Sequence, residues 1–187
     1  MFYSLETIFK EFCDYLEGKI KWSEKKTDFT KLIFEFFSQM AKTAQPPFVE
    51  KREYMLLDFI MRHKMAEYNF NTIELALEHE VSQRRPEGVL SNEVQHLVDI
   101  KAKYKIGIFY PSAGDEEKLK SGIKEKIEQA KSLSVPWEEY LFIFGSPTTK
   151  ESKRCILFKA FHFTWNKQFN YQNLEGKQLS DRIIKQK

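Results

Sequence analysis

The chain has 187 residues, 42% of them hydrophobic and 30% charged, with a formal net charge of +3. That length suits one substantial core, and that composition excludes wholesale disorder. No run approaches the roughly 18 apolar residues of a membrane-spanning helix, and the N-terminus lacks a basic region followed by a long apolar stretch. Cys13 and Cys155, the only cysteines, lie far apart without His or Cys at zinc-finger spacing. A cytoplasmic protein with free thiols, no membrane partner and one domain is expected: N-terminal helices over 1–45, a core over 50–110, and a C-terminal part over 115–187.

Two amphipathic helices open the chain, carried by Phe2, Leu5, Ile8, Phe9, Phe12 and Leu16 and then by Phe29, Leu32, Ile33, Phe36, Phe37 and Met40. Asp28 is placed to cap the second helix, and Pro46-Pro47 ends its continuation. Strand-like runs at 53–61 and 72–81, joined by a polar connector, suit an antiparallel pair. A helix over 91–102 follows, with Ser91 or Asn92 as its cap, and then the buried strand Lys105 to Tyr110. Strand, helix, strand at this spacing is a crossover unit, so the segments near 75 and 107 are expected to lie parallel in one sheet. Asp115 to Leu133 reads as a further helix, and 139–144 and 155–165 as strands separated by Gly145 to Lys150. Leu174, Leu179, Ile183 and Ile184 are available to dock a final helix. The fold class expected is α/β, a mixed central sheet flanked by helices.

Charge is uneven along the chain: residues 150–187 carry nine Lys or Arg against three acidic residues, a net of +6. Phe158, Phe161, Phe163, Trp165, Phe169 and Tyr171 are interleaved there. A basic, aromatic surface of that kind lies along a nucleic-acid backbone, and a solvated sheet face with a basic tail gives the same pattern.

Asp58 is the anomaly in the core, an ionisable group in the run Tyr54 to Met61 that is apolar at both sets of alternate positions. A buried carboxylate needs compensation, from a cation side chain, from exposure at the strand end or from a metal. Glu78 and Glu80 close the next strand and share one of its faces, because strand residues two apart point the same way. On an adjacent strand they come within about 5 Å of Asp58, a spacing of hard oxygen donors that suits Mg2+ or Mn2+. A solvated glutamate face is the structural alternative. On the following helix Val94, Leu97, Val98 and Lys101 form one stripe, which turns Lys101 inward; at the helix end it also has the option of extending to water. His79 faces away from the acids, and His63, His96 and His162 read as isolated. Gly107 is expected to permit close packing.

Asp58, then Glu78-His79-Glu80 at a strand end, then a helix and an apolar strand resemble the core of the PD-(D/E)XK, or restriction-endonuclease-like, nuclease superfamily, over roughly residues 50 to 110. The resemblance implies metal-dependent hydrolysis of phosphodiester bonds, in DNA more than RNA, with Asp58 and Glu78 as metal ligands, Glu80 at the position usually held by lysine, and Lys101 supplying that lysine from the helix. It also implies Glu53 as an extra ligand, Arg84 and Arg85 as phosphate contacts, and a homodimer as an option. A catalytically silent module of the same fold, binding nucleic acid or a protein, is the alternative.

Overall fold

The computed structural model describes residues 4–17, 19–20, 26–63, 73–81, 85–130, 137–150, 153–166 and 168–180. Its first two elements are the helices α1 (Leu5–Leu16) and α2 (Lys26–Thr43). Ser4 caps α1, its hydroxyl accepting from the Thr7 N–H at 3.2 Å. α2 already begins at Lys26, so Asp28 lies within its first turn rather than at the cap. There follow β1 (Phe48–Tyr54), β2 (Leu57–His63), β3 (Ile73–Glu80), α3 (Pro86–Ser91), α4 (Glu93–Asp99), β4 (Ala102–Phe109), α5 (Glu116–Gln129), β5 (Glu139–Lys150), β6 (Lys153–Asn166) and β7 (Gln168–Ser180).

All seven strands join one sheet in sequence order. β1, β2 and β3 form an antiparallel meander, β3, β4 and β5 run parallel, and β5, β6 and β7 are antiparallel again. The protein is thus a mixed α/β fold whose crossover unit is the expected one: Leu75 pairs with Tyr104 and Glu78 with Gly107 across parallel strands. Helices cover both faces. Phe12, Phe37, Met40 and other apolar residues of α1 and α2 pack on Phe59, Leu77, Ile106, Ile143 and Phe158. On the other face Val89, Val94, Leu97, Leu119, Ile123 and Ile127 from α3, α4 and α5 pack on Ile60, Ala76, Tyr140 and Phe142. Phe12 sits edge-on to Phe36 and Phe158 at ring separations of 5.6 and 5.5 Å, contacts worth about 0.5–1.5 kcal/mol each beyond burial.

Four expectations are corrected. The run 53–61 is not one strand: Met55-Leu56 is a two-residue turn between β1 and β2, with φ of 52° and 70°, and Glu53 on β1 has φ of 49°. Left-handed backbone at both turn positions matches the twist of a hairpin, at roughly 1–2 kcal/mol per non-glycine residue. Of the helix expected over 91–102 only α4 forms, over Glu93–Asp99: it is separated at Asn92 from α3, which occupies the preceding stretch, and is closed at Ile100, whose ψ of 144° is extended. Gly145 to Lys150 continues β5 rather than forming a loop, because it pairs in register with Lys153 to Phe158. The apolar residue Leu174 belongs to β7, not to a terminal helix, and Ala160 lies opposite it; Ile183 and Ile184 lie outside the described residues.

Candidate functional site

Asp58 is the second residue of β2, one step beyond the Phe59–Leu77 pair that begins the β2–β3 ladder. Its carboxylate therefore falls beside Glu78, on the face that carries Ile60 and Ala76. Asp58 Oδ2 accepts the His79 backbone N–H at 2.7 Å, and its side chain is hydrogen-bonded to that of Glu78. Of the compensations weighed for Asp58, what the structure supplies is thus a peptide N–H and a carboxyl partner.

Glu78 is 3% exposed. Burial, followed by the neighbouring Asp58, pushes its carboxyl up from the ordinary 4.5 to about 9; Glu93 and Glu80 act in the same direction. Asp58 is raised as well, chiefly by burial, against the His79 N–H and the Glu78 hydrogen bond that favour its charged form. Both shifts run in the direction that favours a proton held between the two carboxyls. Gly107, the β4 partner of Glu78, brings the aromatic wall close, since a Cβ there would lie 2.7 Å from Phe109 Cζ and 2.8 Å from Phe142 Cδ1. Removal of the carboxyl from water by burial is the largest cause of the Glu78 shift.

The other face of Glu78 meets α4. His96 Nδ1 lies 2.9 Å from Glu78 Oε1, so His96, expected to be isolated, is a direct partner of the site. It reaches the carboxyl from the same helix as Glu93, which is three residues earlier and also buried. Positions 93 and 96 flank the inward stripe of Val94 and Leu97, but that spacing alone does not pair them with Glu78. Glu80 ends β3 on the Glu78 face, half-buried, and its charge is felt by both Asp58 and Glu78. Glu53, on the far side of the turn, acts on Asp58 through space.

Lys101 is corrected. It lies past the end of α4, 44% exposed, and its Nζ is 3.9 Å from Glu138 Oε1 rather than at the acids. The stripe that turned it inward needs a helix that continues to 101, and the chain leaves helical geometry at Ile100. Arg85, the residue before α3, is exposed; Arg84 lies outside the described residues. His79 faces α2, between the rings of Phe29 and Phe34, with Nε2 3.2 Å from Tyr110 Oη; burial lowers its pKa to about 3 and keeps it neutral.

A second ionic cluster lies on the same sheet face. Lys105 of β4, fully buried, sits opposite Ala76, two residues along from Gly107. Its Nζ is 3.0 Å from Glu138 Oε2 and donates to Tyr140 Oη at 3.0 Å. Burial lowers the Lys105 pKa to about 8, against the Glu138 carboxylate, which raises it.

Among the described residues, the aromatic side chains of the basic C-terminal region are buried. Phe158, Phe161 and Phe163 are core residues, Lys159 is 2.8 Å from Glu116, and Lys177 bridges Asp14 and Glu17 of the α1 region. Trp165, Phe169 and Tyr171 have side chains outside the described residues.

Asp58 and Glu78 offer hard oxygen donors in an apolar wall. Among the described residues no three His, Cys, Asp or Glu side chains are gathered closely enough to form a complete cage. The donor chemistry fits Mg2+ or Mn2+, since Mg2+ is commonly held by one or two carboxylates with water and substrate oxygens completing its shell. No described helix is long and apolar enough to cross a membrane. No protein-family model and no curated protein matches the chain.

Proposed function

We propose that the protein is a metal-dependent nuclease with a restriction-endonuclease-like core, hydrolysing phosphodiester bonds in DNA more readily than in RNA at the C-terminal end of β3. One observation carries the reading: Asp58 and Glu78 meet across β2 and β3 inside an apolar wall, and the charges acting most strongly on Glu78 there are carboxylates. His96 meets only the Glu78 oxygen of the pair, and a divalent cation would offset the charge of both carboxylates together. The antiparallel meander followed by helix and parallel strand also agrees with the element order that the resemblance implies.

When bound, the metal would supply an activated water and neutralise charge on the scissile phosphate. Asp58 and Glu78 would hold it, with water and substrate oxygens completing its shell, and the Glu80 charge acts on both carboxyls from the end of β3. The His79 N–H fixes the Asp58 carboxylate, and His96 fixes the Glu78 carboxyl from α4. The apolar wall of Phe109 and Phe142 keeps water away from the pair on the sheet side.

The second reading, a catalytically silent module that binds nucleic acid or a protein, is favoured by the placement of Lys101. With Lys101 turned to Glu138 and Glu80 in the usual lysine position, the lysine of the resemblance is not supplied from either expected place. Incubation of plasmid and single-stranded DNA with Mg2+ or Mn2+ separates the two. Cleavage by the wild type that disappears in Asp58→Asn and Glu78→Gln supports the nuclease. Retarded DNA without cleavage in all three proteins supports the silent module.

A further inference from the structure

Among the described residues, the hairpin tip between β1 and β2 is the one place that combines backbone strain with exposed apolar surface. All non-glycine residues with positive φ among the described residues lie here: Glu53, Met55 and Leu56. A two-residue turn of this kind favours Asn-Gly or Gly, and this chain places Met and Leu there instead. Neither helps the core, with Met55 53% and Leu56 78% exposed. Among the described residues only Trp137 is a comparably exposed large apolar side chain.

The tip has a definite position. Asp58 is two residues past Leu56, and β2 runs antiparallel to β3, so the tip stands at the same end of the sheet as Glu78, Glu80 and Arg85. Lys51 and Arg52, both exposed, precede it on β1. An apolar point with Lys51 and Arg52 behind it, next to the exposed Glu53 and beside the proposed phosphodiester-cleaving centre, matches a device known from duplex-bending proteins. There Leu or Met enters a base step, basic groups hold the flanking phosphates, and the unstacked step bends. The residues at positions 55 and 56 have no ring, so the tip offers no stacking platform for single strands.

We infer that the Met55–Leu56 tip is an apolar wedge that enters a base step of duplex DNA beside the Asp58–Glu78 pair. The inference rests on the nucleic-acid reading of that site and assigns its substrate a duplex form. Insertion would unstack the step and draw the adjacent phosphate toward the carboxylates.

The test compares the wild type with Met55→Asn/Leu56→Gly, a pair that suits the turn and is expected to hold or raise the thermal midpoint. The probe is a duplex with 2-aminopurine at successive positions, whose fluorescence rises on unstacking. The wild type is expected to raise the signal, and the double variant to bind at least tenfold more weakly with no rise, while keeping the wild-type response of its thermal midpoint to Mn2+. Equal affinity and equal fluorescence in both proteins overturn the wedge. So does a loss of self-association in the variant, seen by sedimentation, with duplex binding intact, because the tip is then an interface between copies. A wild type that responds to Mn2+ and cleaves DNA without unstacking it defeats the wedge alone. Tip-dependent unstacking with neither Mn2+ response nor cleavage defeats the nuclease reading alone.

Discussion

Two buried ionisable clusters share one face of the sheet, two residues apart along the strands, and they are balanced in opposite ways. Lys105 and Glu138 form an ion pair, fully enclosed and completed by the Tyr140 hydroxyl. Asp58 and Glu78 are like groups, with Glu93 and Glu80 adding to the repulsion, and they are reconciled by a shared proton. The first cluster is electrically complete within the protein. The second is completed only by a proton or a cation, and that is the physical difference between a structural ionic group and a candidate metal site.

The largest expected effect breaks the complete cluster. Glu138→Gln leaves the Lys105 ammonium buried without its counter-charge and is expected to cost about 3–5 kcal/mol in chemical denaturation. Lys105→Met with Glu138→Leu, which removes both charges, should recover most of that loss. A double variant as unstable as the single one would show that the cluster does more than balance itself.

The incomplete cluster should respond in the other direction. Below pH 4.5 the Glu78 carboxyl is protonated in folded and unfolded chains alike. Between 4.5 and about 9 the folded protein retains a proton that the unfolded chain has released, so stability falls as pH rises through that window. Glu78→Gln should abolish this slope and, without metal, stabilise the protein by about 1–3 kcal/mol at pH 8. Lys105 has the opposite sign: its folded pKa is depressed, so from about 8 to 10.5 the unfolded chain holds the extra proton and stability rises with pH. Denaturation midpoints from pH 5 to 10 for wild type, Glu78→Gln and Lys105→Met resolve the two slopes.

Smaller effects sharpen the assignment of single residues. Mn2+ at a hundred times its dissociation constant should stabilise the wild type by about 2.7 kcal/mol, and Asp58→Asn should remove the gain in a thermal-shift measurement. Lys101→Ala, which loses a 3.9 Å contact to Glu138 from a half-exposed side chain, should change stability by less than about 1 kcal/mol and leave the Mn2+ response intact. A Lys101→Ala protein blind to Mn2+ would restore the lysine to the site.

Much of the sheet was legible because it is written locally. A continuous apolar run and, after a polar connector, an alternating one marked β2 and β3, and the helix between two apolar runs required a parallel β4. The hairpin was missed because Met55 and Leu56 are apolar where turns are usually polar, so the tip read as the middle of a strand. Lys101 was misplaced by extending a 3.6-residue period two positions past the real end of α4, which no capping residue announces. β7 was missed because its pairing partner, β6, is what orders a polar sequence into a strand.

In the site, Asp58 and Glu78 were readable from an ionisable residue inside an apolar strand and from the period of two. The same signal stood at Lys105, within Ala102 to Phe109, and was hidden by taking Lys105 as the strand's first residue. His96 and Glu93 reach Glu78 only through the packing of α4 on β3, a tertiary relation that spacing alone does not specify.

The central claim is that the Asp58–Glu78 pair exchanges its proton for a divalent cation. Calorimetric titration of the wild type with Mn2+ at pH 7, in two buffers of different ionisation enthalpy, measures the metal and the proton together. The account predicts saturable binding with release of about one proton per ion, and no binding by Glu78→Gln. Binding that is absent in the wild type, or unchanged in Glu78→Gln, would contradict it.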